Sequence, residues 1–267
     1  MHGEERQHRI RLLLKTHPML TIQRLSQDLG VSVMTIRRDV DRLAAQGEVV
    51  RVHGGITIPD QDRPLGERTA AHLSEKQAIS LAALDLIMPG DTIAIDSGST
   101  TACLAEALLY SSIRPVAVVT HALNVATILM RDPGIQVMVS GGDLRASTGS
   151  LVGPVARKFY EQIRVRLAFI ATVGMDRDGL SNSNFPEAEI KREIMNNAGQ
   201  TVVLADDSKW GRRGTVPFAQ WSDVSTLIVD RKPSDQWAHL METCTVSIQV
   251  ADGDLAMQRL THAVNKI

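Results

Sequence analysis

Apolar residues recur at helical spacing three times in the first part of the chain. The segment from Glu4 to Thr16 predicts an amphipathic first helix that ends before a His-Pro pair. Thr21 is a suitable N-cap for a short second helix with one apolar face. Gly30 can form the tight turn that follows, and Ser32 is the expected N-cap of a third helix. The pattern therefore predicts three successive helices.

The third helix has two different faces. Its apolar residues share one side and are expected to pack inward: Val33, Ile36, Val40 and Leu43. The polar side and its borders hold Met34, Thr35, Arg37, Arg38, Asp41 and Arg42. Two helices joined by a glycine turn, the second with an exposed cationic face, match the helix-turn-helix, whose second helix lies in the major groove of DNA.

A hairpin is predicted directly after the third helix. The segment EVVRVHGGITI contains two β-rich runs joined at His53-Gly54-Gly55, which indicates the wing of a winged helix-turn-helix. Arg51 and His53 would lie near its tip, within reach of the phosphate backbone or the minor groove.

The cationic face of the third helix has two interpretations. Arg37, Arg38 and Arg42 either contact DNA or form a solvated surface balanced by Asp39 and Asp41. The adjoining turn and wing favour DNA. The predicted DNA contacts are Ser32, Met34, Thr35, Arg37, Arg38, Arg42, Arg51 and His53.

A polar stretch from Pro59 to His72 separates this region from the rest and is typical of an interdomain linker. Ser74 and Gln77 form a predicted capping box at the start of the next helix. We therefore predict three segments: a winged helix-turn-helix domain at 1–58, a linker at 59–73 and an α/β domain at 74–267.

Short apolar runs alternate with helical stretches throughout the larger domain. The runs are TIAI, VAVV, IQVMV, LAFIA, TVVLA, TLIV and VSIQV. This alternation predicts a mostly parallel sheet flanked by helices, in which ligands bind at the carboxyl ends of the strands.

Small, hydroxylated and charged residues follow several of these runs. A Ser/Thr/Gly loop before a helix N-terminus favours a phosphate, a lysine adds positive charge, and an aspartate accepts hydroxyl protons. Alternatively, Lys209 forms a surface salt bridge and the glycines only make turns. The predicted effector-binding residues are Asp96, Ser97, Gly98, Ser99, Thr100, Thr101, Thr120, His121, Gly141, Gly142, Asp206 and Lys209.

Composition excludes several classes of protein. With 43% hydrophobic and 22% charged residues the chain is expected to be globular, and Cys103 and Cys244 suggest neither a disulfide framework nor a zinc site. Residues 1–58 hold nine basic and six acidic residues, a balance of +3 within a total of −1. A charged start and no long apolar run predict a cytoplasmic protein without a membrane partner, and we expect no metal or cofactor.

The helix-turn-helix region closely resembles the DeoR family of bacterial transcriptional repressors. The resemblance is carried by Leu25, Gly30-Val31-Ser32, Thr35-Ile36-Arg37-Arg38-Asp39, Leu43 and Arg51-Val52-His53-Gly54-Gly55. It extends to about residue 250 through Glu75-Lys76, DSGSTT, Ser140-Gly141-Gly142, Glu187-Ala188-Glu189 with Lys191, and DDSKWG.

The resemblance implies a function and a fold. It implies operator contacts by Thr35, Arg37 and Arg38, with Asp39 orienting an arginine or the helix, and a sensor domain similar to the pentose-phosphate isomerase fold. Such a domain binds a sugar phosphate as inducer without catalysis, so no catalytic residue is expected. A homo-oligomer, dimer or tetramer, would place two recognition helices in successive major grooves.

Two features depart from the family pattern. His121 stands where the family usually has Asn, which leaves the identity of the sugar open. The tail from Asp252 to Ile267 extends beyond the usual final strand and is a candidate for an additional helix at an interface.

Two other functions are compatible with parts of the sequence. The first is a sugar-phosphate isomerase-like enzyme with a helical head, in which Asp206, Asp207 and Lys209 would be the acid and base groups. The second is an adaptor that binds a sugar phosphate and a protein. The outward Arg37 and Arg38 argue against an adaptor, and a winged head serves no purpose in an isomerase.

Overall fold

The computed structural model describes residues 3–17, 19–45, 48–52, 55–57 and 65–253. The predicted wing residue His53 and nearly all of the predicted C-terminal tail lie outside these ranges. The described residues divide into two compact units. The first contains those up to Gln61 together with Ser183–Pro186, and the second contains the others.

The first unit is a winged helix-turn-helix, as predicted. Its elements are α1 (Gly3–Thr16), β1 (Met19–Leu20), α2 (Ile22–Leu29), α3 (Val33–Ala45), β2 (Val50–Val52) and β3 (Gly55–Thr57). The strands β2 and β3 form the predicted antiparallel hairpin. The short β1, which the sequence pattern did not indicate, pairs with the other side of β3.

Local signals in this unit act as expected. The Thr21 side chain accepts a hydrogen bond from the Arg24 amide at 3.0 Å, which caps α2. Gly30 ends α2 with a φ of 63°, a left-handed conformation that favours glycine. Ser32 Oγ accepts a hydrogen bond from the Thr35 amide at 3.2 Å at the start of α3.

The core of the first unit contains the apolar faces of all three helices. Ile36, Val40 and Leu43 of α3 are fully buried in it. Val33, predicted to face inward, is instead 37% exposed, because it is the first residue of α3 and lies at the end of the buried stripe.

The second unit is an α/β domain. Its helices are α4 (Leu65–Ala70), α5 (Leu73–Leu84), α6 (Ser99–Leu109), α7 (Leu123–Leu129), α8 (Gly153–Glu161), α9 (Phe185–Asn196) and α10 (Asp235–Thr243). Its strands are β4 (Thr92–Ile95), β5 (Val116–Thr120), β6 (Ile135–Val139), β7 (Asp143–Arg145), β8 (Ser150–Val152), β9 (Val165–Ala171), β10 (Gly174–Asp176), β11 (Gly179–Asn182), β12 (Ala198–Leu204), β13 (Val216–Ala219), β14 (Thr226–Val229) and β15 (Ser247–Val250).

All seven predicted apolar runs form strands of one parallel sheet. Across the described part of the chain the sheet has the order β15-β14-β12-β9-β4-β5-β6, and every adjacent pair in it is parallel. Its central strands pack with α5, α6 and α7 in one apolar core. Parallel strands are buried on both faces, which explains why they appear as continuous apolar runs in the sequence.

The start of the second unit differs from the prediction. Part of the predicted linker is helical, since α4 occupies Leu65–Ala70. Ser74 is not the N-cap of α5, because the helix already begins at Leu73 after His72, and the Ser74 hydroxyl donates to the Glu75 carboxylate at 2.8 Å.

Two small antiparallel elements complete this unit. A hairpin of β7 and β8 follows β6, and a short sheet has the order β10-β11-β13. Over the ranges described, no helix combines the length and the apolar character needed to cross a bilayer.

Candidate functional site

The recognition helix α3 presents an unpaired cationic face. Arg37, Arg38 and Arg42 are exposed, and none of them forms an ion pair with another described residue. Met34, on the border of this face, is 57% exposed. The face therefore offers three guanidinium groups and an apolar contact to a ligand outside the protein.

The acidic residues of α3 are bound elsewhere. Asp39 is buried and pairs with Arg6 of α1, and its other oxygen lies 3.5 Å from the Gln7 side-chain nitrogen. The hydrogen bond that Arg6 donates to Asp39 raises the pKa of Arg6. Asp41 pairs with Arg51 of the wing. Asp39 and Asp41 therefore form their ion pairs with Arg6 and Arg51 and not with the arginines of α3.

The remaining predicted DNA contacts lie at the edges of the same surface. Ser32 is exposed, and its hydroxyl lies 2.9 Å from the Thr35 hydroxyl. Thr35 is partly exposed and Arg51 is exposed. The Ser32 hydroxyl caps α3 and the Thr35 hydroxyl lies next to it, so both are at the helix N-terminus, a position that favours a phosphate.

In the second unit the strand order reverses between β4 and β9. From this point β5 and β6 extend to one edge, and β12, β14 and β15 extend to the other. Such a reversal leaves a crevice at the carboxyl ends of the strands, where ligands bind in open α/β sheets. Asp96 follows β4 at this position, and Thr172 follows β9.

The Asp96 carboxylate is the centre of a buried polar network. Its Oδ2 accepts hydrogen bonds from Lys191 Nζ and, at 2.9 Å, from the Ala171 amide. Its Oδ1 lies 3.6 Å from His121 Nε2. Both side chains, and that of Lys191, are buried. The structure thus brings together the predicted residues Asp96 and His121.

His121 and Tyr160 have polar atoms without partners. Both ring nitrogens of His121, the Tyr160 hydroxyl and Asp96 Oδ1 make no hydrogen bond to any described residue. The two rings meet edge to face, with centroids 6.1 Å apart. Burial lowers the pKa of His121, a shift that Asp96 partly opposes, and burial raises the pKa of Tyr160. Buried groups of this kind normally have a hydrogen-bonding partner, so this corner is suited to a polar ligand.

The loop after β4 leads directly into the N-terminus of α6, as predicted. Gly98 is the N-cap and supplies no side-chain hydrogen bond to the first turn. A Cβ atom at Gly98 would lie 2.7 Å from the Ala171 Cβ, so the close approach of β9 requires glycine. Ser97, Thr100 and Thr101 are buried at this end of the helix. The free amides of the first turn favour an anion.

Other predicted residues have contacts that support the backbone. The Thr120 hydroxyl donates to the Ile95 carbonyl at 2.7 Å and accepts from the Ala122 amide. Gly141 and Gly142 have φ values of 68° and 116°, and a Cβ atom at Gly142 would lie 2.5 Å from a main-chain oxygen. These residues shape the loops around the crevice.

The list of predicted effector-binding residues omitted Glu187 and Lys191. Glu187 accepts a hydrogen bond from Ser150 at 2.6 Å and one from Asn182 at 3.2 Å. Burial by itself would raise its pKa, but the positive charges of Arg145 and Lys191, together with hydrogen bonds from hydroxyl groups, lower the pKa of Glu187 to about 2. The available sequence signal was the family resemblance, which includes both residues.

Asp206 and Lys209 also lie together. Lys209 Nζ is 3.5 Å from Asp206 Oδ2, and Asp206 Oδ1 accepts hydrogen bonds from the Ser208 amide and hydroxyl. Burial would raise the pKa of Asp206, but Ser208 and Lys209 lower it overall. In the part of the chain that the structure covers, no group of three His, Cys, Asp or Glu side chains could hold a metal ion.

These two units define a DNA-binding regulator: a winged helix-turn-helix with an exposed cationic helix, and an α/β domain with a crevice at its strand ends. Residues 6–62 match the family model of the DeoR-like helix-turn-helix domain, and residues 71–231 match that of the DeoR C-terminal sensor domain. The chain belongs to the DeoR family of transcriptional regulators. The predicted family and fold class are thereby confirmed.

Similar proteins are named as regulators. The glycerol-3-phosphate regulon repressor of Escherichia coli is 33% identical over 225 residues, covering 83% of this chain and 88% of the repressor. The regulator GlpR of Haloferax volcanii is 33% identical over 230 residues, covering 85% and 89%. Ribose 5-phosphate isomerase A from Neisseria gonorrhoeae aligns over 52% of this chain and 53% of the enzyme, with 17% identity and a TM-score of 0.38, a likeness that supports no conclusion about activity.

Proposed function

We propose that this protein is a transcriptional repressor that binds operator DNA through α3 and the wing, and that a phosphorylated sugar bound in the α/β domain relieves repression. The observation that carries the proposal is the free cationic face of α3. Arg37, Arg38 and Arg42 have no acidic partner within the described residues, whereas Asp39 and Asp41 do have basic ones. Arginine suits bidentate contacts to guanine edges and phosphates.

The proposed effector site is the crevice between the ends of β4 and β9. The first turn of α6 would hold the phosphate, and the buried partnerless atoms of His121 and Asp96 would bind sugar hydroxyls. The remaining predicted residues would shape the loops or add positive charge. Names of relatives, such as the glycerol-3-phosphate regulon repressor, support this class of effector.

The contacts of the acidic groups argue against an isomerase. A general base should have a pKa near the working pH, and, although burial opposes the shift, Ser208 and Lys209 lower the pKa of Asp206, one of the groups that an isomerase would use. Lys191 donates to Asp96 and to the Ala171 carbonyl, so its ammonium is held by two acceptors. We therefore propose that the domain binds its ligand without converting it.

Several finer features belong to the same proposal. The protein would act in the cytoplasm as a dimer or tetramer without a membrane partner, with domains at 1–58 and 74–267. An oligomer would align two copies of α3 with successive major grooves. Size-exclusion chromatography with light scattering, on the free protein and on its DNA complex, measures the oligomeric state.

One experiment tests both halves of the proposal. The full chain is incubated with DNA from upstream of its own gene, with and without sugar phosphates, and the bound fraction is measured by gel shift. Loss of the shifted band with one sugar phosphate supports the proposal. A band that no sugar phosphate affects contradicts the switching function, and the absence of any band contradicts the DNA-binding function.

A further inference from the structure

A second group of charges lies beside the proposed effector site. It contains Arg68 of α4, Lys76 of α5, and the pair Asp206 and Lys209 after β12. Lys76 Nζ donates hydrogen bonds to the carbonyl oxygens of Arg68 and Ala71, which ties α5 to α4. Arg68, Lys209 and Asp206 are close enough to act electrostatically on Lys76. The charges of Arg68, Lys209 and Asp206 therefore all influence Lys76.

The charges in this group do not balance. Arg68, Lys76 and Lys209 carry three positive charges, and the carboxylate that acts on Lys76 together with them is that of Asp206. Lys76 is buried, and burial lowers its pKa. Arg68 Nε and Nη2 are both shielded from solvent and form no hydrogen bond with any residue that the structure describes. Buried charged donors without an acceptor cost free energy, and an anion bound there would offset that cost.

The group adjoins the first turn of α6. Both α4 and α5 pack against α6. Ser80, one turn after Lys76 on α5, donates to the Thr100 carbonyl at 3.2 Å. The thiol of Cys103 in α6 is also close enough to act on Lys76. The excess positive charge therefore lies next to the helix N-terminus that favours an anion.

We propose that Arg68 is a ligand of the effector's phosphate group and holds it with Lys76, Lys209 and the first-turn amides of α6. This inference rests on the proposed function and adds a ligand to it. The planar guanidinium presents two donors, Nε and Nη2, in the geometry that binds two oxygens of one phosphate. A dianionic phosphate monoester would balance the surplus of two positive charges.

Because Arg68 lies in α4, ahead of the range that matches the sensor-domain model, its contact with the phosphate would transmit effector binding to α4. Arg68 precedes residue 71, where the match to the sensor-domain model begins, and it lies within the segment that the sequence predicts to be a linker. A phosphate bound by Arg68 would restrain α4 directly. The effector would thus also bind to α4, the first helix of the second unit.

Calorimetric titration of the full chain with inorganic phosphate tests the assignment. The variant Arg68→Gln removes the charge and one donor pair, and we expect its affinity for phosphate to fall about ten- to hundred-fold. Arg131→Gln is the matched control. Arg131 is exposed after α7 and shortly before the edge strand β6, and its loss should leave the affinity unchanged.

Folding of the variants is checked by their melting curves without phosphate. Should Arg68→Gln fail to fold, Arg68→Lys retains the charge but lacks the planar pair of donors, and its affinity should still fall severalfold. Wild-type affinity in a folded Arg68→Gln or Arg68→Lys variant would overturn the proposal. A wild-type protein that does not bind phosphate would overturn it as well.

Gel shifts separate this inference from the proposed function. If a sugar phosphate releases operator DNA at the same concentration from the wild type and from Arg68→Gln, the Arg68 contact is wrong and the proposed function stands. If phosphate binding depends on Arg68 but no sugar phosphate releases DNA, the contact stands and the proposed function is wrong.

Discussion

Asp39 of the recognition helix forms a buried ion pair with Arg6 of the first helix. Asp39 is buried, whereas Arg37, Arg38 and Arg42 are exposed, so the pair fixes α3 to α1 and leaves the arginines free. The sequence resemblance assigned Asp39 an orienting role, and this contact agrees with that expectation.

We predict that Asp39→Ala destabilises the DNA-binding unit by about 3 kcal/mol, because it removes the carboxylate that pairs with the largely buried Arg6 guanidinium. Urea denaturation of the full chain followed by circular dichroism measures the loss. Asp41→Ala is the control. Its pair with Arg51 is exposed and should contribute less than about 1 kcal/mol. Equal effects of the two substitutions would contradict this interpretation.

Arg37→Ala and Arg38→Ala should each weaken operator binding by about 1–3 kcal/mol if the arginine binds a base edge. The physical reason is the loss of a bidentate contact between the guanidinium and the DNA, since neither arginine is paired with an acidic residue that the structure describes. Fluorescence anisotropy with labelled operator DNA measures the change. Arg177→Ala, which removes an exposed arginine from the α/β domain, should bind as the wild type does. Wild-type affinity in both α3 variants would exclude these residues from the interface.

Lys209→Ala should weaken the response to the effector and leave operator affinity without effector unchanged. Lys209 lies beside Asp206 at the strand ends and carries part of the positive charge proposed for phosphate binding. The measurement is the sugar-phosphate concentration that releases half of the bound DNA. Lys158→Ala removes an exposed lysine of α8 and should not change that concentration. An unchanged value in Lys209→Ala would show that this lysine only supports the loop.

His121 should make the stability of the protein depend on pH. Burial keeps its folded pKa below the ordinary value of 6.5, so below that pH the unfolded chain binds a proton that the folded one does not. Stability should therefore decrease as the pH falls from 6.5 towards the folded pKa. Asp96, Lys191, Glu187 and Tyr160 surround this group.

The comparison for this prediction is between His121→Gln and His239→Gln. His121→Gln should reduce the loss of melting temperature between neutral and mildly acidic pH, whereas His239→Gln should not, because His239 is exposed. Parallel pH profiles for the wild type and His121→Gln would mean that His121 gains its proton equally in both states.

Much of the fold follows from local sequence patterns. The helix-turn-helix was predictable because Thr21, Gly30 and Ser32 cap helices or form the turn through contacts with residues close to them in sequence. The seven parallel strands were predictable because both of their faces are apolar. The predicted N-cap Ser74 was wrong because its hydroxyl binds the adjacent Glu75 instead of capping α5. The β7–β8 hairpin was missed because its strands are only three residues long.

The candidate site was only partly predictable, for a different reason. Asp96 and His121 follow apolar strands, so their position at the sheet edge could be inferred from the chain alone. Glu187 and Lys191 lie within a helix, and only tertiary packing brings them to Asp96 and Ser150. Arg68 belongs to a stretch whose polar composition suggests a linker. Nothing in the local pattern reveals that packing shields its donors.

The central claim is that one protein couples a sugar phosphate to DNA release. The most direct test is the operator dissociation constant of the full chain, measured by anisotropy at fixed salt across a panel of aldose, ketose and polyol phosphates. We predict that one compound raises this constant about 5- to 150-fold, the usual range for coupling between two sites. The same dissociation constant with every compound, or no binding to the upstream DNA, would contradict the account.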